Sequence, residues 1–131
     1  MEPYDIPWQA TFMCRAAKDI LFVRGKYNMI DVIDARTLKY SQTLDTKGCG
    51  VFSSITDTTF NMAYLGCYEG HFFAVDLKKM CMVEEKYLKL RQGIYDMVIL
   101  PDPQRTIMVC QHFGYIEFIN PQEGCVMNGG V

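Results

Sequence analysis

Short apolar runs of four to six residues recur along the whole chain, separated by clusters of Gly, Asp, Asn, Pro and Thr. That spacing is the mark of strands and tight turns, and no segment keeps a helical period long enough to compete, although residues 83–90 could be misread as one. The runs also superpose on one another. A shift of 42 residues lays Val23 on Leu65, Ile30 on Phe72, Val32 on Ala74 and Ile33 on Val75; a further 44 lays these on Val109, Ile116, Phe118 and Ile119. The chain therefore reads as three tandem copies of one unit of 42 to 44 residues, with boundaries near 8–48, 49–92 and 93–131.

The polar positions repeat as well. Asn28, Gly70 and Gly114 coincide between two apolar runs, and these are the residue types that tolerate the positive φ of a tight hairpin. Asp34, Asp76 and Asn120 coincide just after a strand, where an Asx side chain caps the following turn. Each copy predicts four strands. The first lies near 9–14, 51–55 and 95–100; the second at 20–23, 62–65 and 107–110. The third lies at 29–33, 71–75 and 115–119; the fourth at 40–44, 82–86 and 125–127. Residues 16–18, 56–59 and 101–104 are expected to join the first two strands of each copy. Inner strands such as residues 30–33 and 72–75 are apolar on both faces, as expected of sheets covered on both sides.

These features predict an all-β fold, a partial β-propeller of three four-stranded antiparallel blades. The segment Ile30-Asp-Val-Ile-Asp-Ala-Arg-Thr-Leu-Lys-Tyr40 resembles a WD-repeat propeller. Ile33-Asp34 stands where that family has Trp-Asp, with Val75-Asp76 and Ile119-Asn120 as the matching pairs; the tryptophan is absent from all three, and no Gly-His pair opens a copy. The resemblance implies scaffold work between proteins. Closed propellers hold about four to eight blades, so the remaining blades are expected from a longer parent chain or a second subunit. The alternative fold is a small up-and-down β-barrel carrying an apolar ligand, which would demand clean alternation along each strand.

Composition narrows the partners. Half of the residues are hydrophobic and the net charge is −2, which gives no global attraction to nucleic acid or an anionic membrane. No apolar run approaches the ~20 residues of a membrane span. The first twelve residues carry two acids and two prolines and do not read as a secretory signal. The six cysteines are widely spaced and lie mostly in apolar runs, so reduced core thiols and a cytoplasmic setting are expected.

No phosphate loop, dinucleotide fingerprint or Gly-x-Ser-x-Gly elbow occurs, and neither cofactor nor metal is expected. Cys67, His71, Cys110 and His112 are ligand types that suit zinc, but core cysteines beside surface histidines are the simpler reading. A propeller-type hydrolase would need acids ringing the channel; Asp31 and Glu117 share one repeat position, yet Phe73 fills it in the middle copy. The richer constellation is the rim formed by the hairpins between second and third strands together with the loops leading to the next blade. It collects Arg24, Lys26, Tyr27, Lys47, Tyr68, His71, Lys89, Arg91, His112 and Phe113. Aromatic groups beside arginine carry binding energy at protein interfaces, so a non-enzymatic scaffold binding a protein, or an acidic or phosphorylated peptide, through this rim is the expected function.

Overall fold

A computed structural model describes residues 12–121 and 125–127; residues 9–11 of the expected first strand and the tail 128–131 lie outside them. The described residues form twelve strands in three antiparallel sheets, each ordered as the chain runs. Blade one holds β1 (Met13–Ala17), β2 (Ile20–Arg24), β3 (Ile30–Asp34) and β4 (Lys39–Leu44). Blade two holds β5 (Val51–Asp57), β6 (Met62–Cys67), β7 (His71–Asp76) and β8 (Cys81–Tyr87). Blade three holds β9 (Ile94–Ile99), β10 (Ile107–Gln111), β11 (Ile116–Asn120) and β12 (Cys125–Met127). The expected partial propeller is thus the observed fold. The barrel alternative fails, because a barrel needs an unbroken ring of paired strands and here β4 does not pair with β5, nor β8 with β9.

Two expected turns are shorter than the sequence suggested. β1 continues through Ala16 and Ala17, and β5 through Thr56 and Asp57. The ladder keeps going because Thr56 and Asp57 still pair with Ala63 and Met62, while the Thr56 hydroxyl donates to the Ala16 carbonyl at 2.7 Å. That bond ties the first strands of blades one and two together.

The hairpins between second and third strands share one geometry. Tyr27 and Asn28, Glu69 and Gly70, and Phe113 and Gly114 all have positive φ. Two successive left-handed residues make the type I′ turn whose twist matches the flanking strands, and the His71 amide closes it on the Tyr68 carbonyl in blade two. The Asn and Gly positions were legible in the sequence. Their left-handed neighbours Tyr27, Glu69 and Phe113 carry no such residue signal. After β3 and β7 the expected Asx turns form: Asp34 accepts from the Arg36 amide and Asp76 from those of Lys78 and Lys79, which holds both carboxyls below the usual range.

Burial follows the spaces between blades. One apolar layer, including Phe22, Ile30, Val32, Leu65, Phe73 and Val75, fills the seam between blades one and two. A second, including Tyr64, Phe72, Ala74, Ile107, Val109 and Ile119, fills the seam between blades two and three. Alternate residues of β7 enter opposite seams, so that strand is apolar on both faces, as its sequence required. The outward face of blade three is different: Val98 is half exposed there, beside Met108, Cys110 and Phe118.

A charge pair crosses the second seam. Arg105, in the turn before β10, donates through Nε to Asp57 Oδ2 at 2.7 Å and through a terminal nitrogen to Oδ1 at 2.9 Å. The Asp57 carboxylate is buried, which pushes its pKa up, but the Arg105 fork and the amides of Thr59 and Phe60 outweigh burial and leave it below the usual value.

Two outcomes follow from these contacts. A methyl on Gly70 would stand 2.6 Å from the Leu90 carbonyl oxygen, whereas one on Gly114 meets nothing within 4 Å, although both glycines have positive φ. Both Gly→Ala variants should lose about 1 kcal/mol from the left-handed backbone. Only Gly70→Ala should lose clearly more in denaturant unfolding; equal losses would contradict the packing described. Asp57 has a depressed folded pKa, so its stabilisation is present above the unfolded carboxylate value and is lost as pH falls through the folded value. Asp57→Asn should therefore flatten the acid side of a plot of melting temperature against pH, and an unchanged slope would remove the pair from that role.

Candidate peptide-binding cleft on the rim

The loops that leave β4 and β8 are held in place by hydrogen bonds to the blades they join. The buried Glu117 carboxylate accepts the amides of Lys89 and Leu90 at 3.2 and 2.8 Å, and Gln111 Nε2 donates to the carbonyls of Leu90 and Gln92. The Leu88 amide donates to Gly70 O and the His112 amide to Gly93 O. In the earlier loop Thr46 donates to Asn28 O, and Asn28 Nδ2 to Gly48 O. Every one of these bonds joins a loop to a hairpin, so the rim is a braced surface.

Between those loops lies a cleft of about 470 Å³, within the range of ligand sites. Its floor is an aromatic series. Phe52 meets Tyr68 edge-on at 4.1 Å and stacks on Tyr95 at 5.1 Å, and Tyr95 adjoins His112 at 5.3 Å; Phe113 touches His112 from outside the cleft, at 4.0 Å. Gly93 lets Phe52 lie against the loop, since a methyl there would stand 3.0 Å from the ring. Arg91 lines one side of the cleft, with its guanidinium carbon 3.8 Å from the centre of the Tyr87 ring. Glu69 lines the cleft too.

Of the residues expected on the rim, Tyr68, Arg91 and His112 meet in this cleft. Lys89 is exposed on the same loop as Arg91. Tyr27 and Phe113 are the exposed tips of the first and third hairpins, at 81% and 76% exposure. Arg24 is half-buried and donates to the Val51 carbonyl at 3.3 Å, a structural use of its charge. The side chain of Lys26 lies outside the described residues. Phe52 and Tyr95 were missed because they sit on strands, not turns. The available signal was that Gly50-Val51-Phe52 superposes on Gly93-Ile94-Tyr95 at a shift of 43.

His71 is not a surface rim residue. It is 2% exposed and lies between Phe73 and Tyr87, with ring centres 4.3 and 4.2 Å away. Its Nδ1 lies 2.8 Å from Cys49 Sγ and its Nε2 2.9 Å from Glu85 Oε2. Lys47, also expected on the rim, pairs with Glu85, which raises the lysine pKa and, with His71, lowers that of Glu85. The four candidate zinc ligands do not converge. Cys67 faces the first seam, His71 is engaged as above, and Cys110 is exposed on β10, opposite Asp96 and Ile116. Among the described residues no group of three His, Cys, Asp or Glu side chains is placed to hold a metal. Of the two acids that share one repeat position, Glu117 is a buried brace for the 88–93 loop, and Asp31 accepts from the Thr43 hydroxyl at 2.9 Å.

No family model matches the chain, and no curated protein matches it. Solved structures do. The β-propeller domain of Myceliophteria thermophila Cps50 (Swd1) superposes with a TM-score of 0.76 at 12% identity, over 93% of this chain and 39% of that one. Kuenenia stuttgartiensis hydrazine synthase gives 0.69 at 17% identity, over 96% of this chain and 36% of that one. Chaetomium thermophilum Raptor gives 0.65 at 19%, over 86% and 11%. At these identities the likeness establishes the fold, three blades of a β-propeller, and the chain spans well under half the length of each of these proteins.

Proposed function

We propose that the chain is a three-blade segment of a WD-like propeller scaffold, and that its rim cleft binds an extended peptide of a partner protein bearing an acidic or phosphorylated residue. The observation that carries this reading is the aromatic series Tyr68–Phe52–Tyr95–His112, flanked by Arg91. Apolar side chains of a peptide gain by covering such rings, and a tyrosine-and-arginine surface is the kind that concentrates binding energy. No carboxylate among the described residues pairs with Arg91 or Lys89, so both remain available to an anion. Glu69, which also lines the cleft, disfavours a uniformly acidic ligand and fits a single anionic group placed beside Arg91.

The half-exposed Val98 and its neighbours Met108 and Phe118 give the outward face of blade three the character of a blade seam, not of a finished surface. Further blades, from a longer parent chain or a second subunit, would cover it. The free thiols of Cys14, Cys49, Cys67, Cys81 and Cys110 suit a cytoplasmic setting.

A degenerate pool of phosphothreonine peptides passed over the immobilised protein should be retained more than the same pool with threonine. Arg91→Glu should lower that retention at least tenfold, and Tyr95→Ala by several fold. Phe113→Ala, at an exposed tip, should change it little. Equal retention of both pools by the wild-type protein and by Arg91→Glu would reject the cleft as the binding site.

A further inference from the structure

The cleft contains a nucleophile as well as a binding wall. Cys49 lines it, and behind Cys49 the chain Cys49 Sγ–His71 Nδ1–Glu85 runs in hydrogen-bond contact at 2.8 and 2.9 Å. We propose that Cys49 is a thiol activated by His71 as general base, and that it is a site of covalent modification by small electrophiles entering the rim cleft. This is independent of whether a peptide binds there.

Three features of the arrangement support it. First, burial raises the Cys49 thiol, and the nearby Glu69 and Glu85 raise it further against the opposing Lys47, so the resting group is a neutral S–H. A neutral thiol is a poor nucleophile and gains most from an adjacent base. Second, the Glu85 carboxylate can only accept, so the neutral tautomer that satisfies both contacts has the ring proton on Nε2 and leaves Nδ1 to accept from the Cys49 S–H. A nucleophile, a base and a carboxylate that orients the base are thereby in sequence, the arrangement of hydrolytic triads met here on a propeller rim. Third, the base is fixed. His71 is held between Phe73 and Tyr87, and Lys47 holds Glu85 in turn, so the imidazole cannot swing away from the sulfur. Attack moves the thiol proton to Nδ1, and the imidazolium that forms faces the Glu85 carboxylate.

Iodoacetamide tests this directly. The reaction forms a bond from Sγ to the methylene carbon and breaks the carbon–iodine bond. Iodide leaves with the electron pair, and the thiol proton passes to His71 and then to solvent. Peptide mapping by mass spectrometry reads each cysteine separately, and Cys81 and Cys110 are exposed cysteines on the same molecule. At neutral pH and substoichiometric reagent, Cys49 should be modified about tenfold or more faster than either, despite its partial burial. General-base assistance of about this size or larger is ordinary for a well-placed histidine. His71→Gln should bring Cys49 down to the rate of Cys81, and Glu85→Gln should slow it several fold. Buried Cys67 reports unfolding, because it should remain unmodified in any folded variant. If His71→Gln exposes Cys67, Glu85→Gln at the half-exposed carboxylate carries the decision. Cys49 reacting no faster than Cys81 and Cys110, or an unchanged rate in a folded variant, overturns the proposal.

Discussion

The structure depends on the burial of β7 between two neighbouring sheets. A strand that sends Phe73 and Val75 into one seam and Phe72 and Ala74 into the other cannot be stable in an isolated sheet, because either face left wet exposes an apolar layer. Blade two therefore requires blade one on one face and blade three on the other. The same constraint explains why repetition is so visible along the chain: every copy must supply the same depth of apolar side chain to fill a seam of constant width.

Dry seams make any polar group within them expensive unless it is answered, and the answers come from the adjoining blade. Asp57 of blade two is met by Arg105 of blade three, Glu117 of blade three by the amides of Lys89 and Leu90, and His71 of blade two by Cys49 of the preceding loop. These contacts cross a seam or a loop junction. They fix the relative position of successive blades more sharply than apolar packing alone, which is non-directional. The cleft inherits that rigidity. Its walls are the braced loops, so its aromatic faces are arranged before any ligand arrives and little ordering remains to be lost on binding.

What could be read in the sequence was whatever the backbone demands of side-chain type. Asn28, Gly70 and Gly114 announced left-handed turns, and the apolar periods announced strands almost to the residue. What could not be read was the direction in which a side chain leaves the rim. His71 opens β7 next to a turn and so looked exposed, yet its side chain points between Phe73 and Tyr87 into the seam. Phe52 and Tyr95 lie inside predicted strands and not turns, yet they line the cleft floor. Both inversions have one cause. A strand's alternation assigns faces only once the neighbouring blade is known, and a β-bulge at Phe52 of β5 and at Tyr95 of β9 shifts the alternation on those two strands.

The chemistry of the chain lies where the copies disagree. In the repeat, His71 superposes on Met29 and Tyr115, and Cys49 superposes on Gln92. Arg91 superposes on Gly48, so the arginine that lines the cleft comes from a position that is glycine in the preceding loop. Even one structural position is spent three ways: Gly25 leaves room for the Asp31 carboxylate, Cys67 fills the first seam, and Gln111 holds the loop carbonyls. Seam packing constrains the apolar positions of every copy alike and leaves the rim positions free to differ. A cleft built from those positions need not recur around the propeller, and this one unites a base, a thiol, an arginine and an aromatic floor at a single junction between blades. The repeat supplies the scaffold, and the departures from it supply the site.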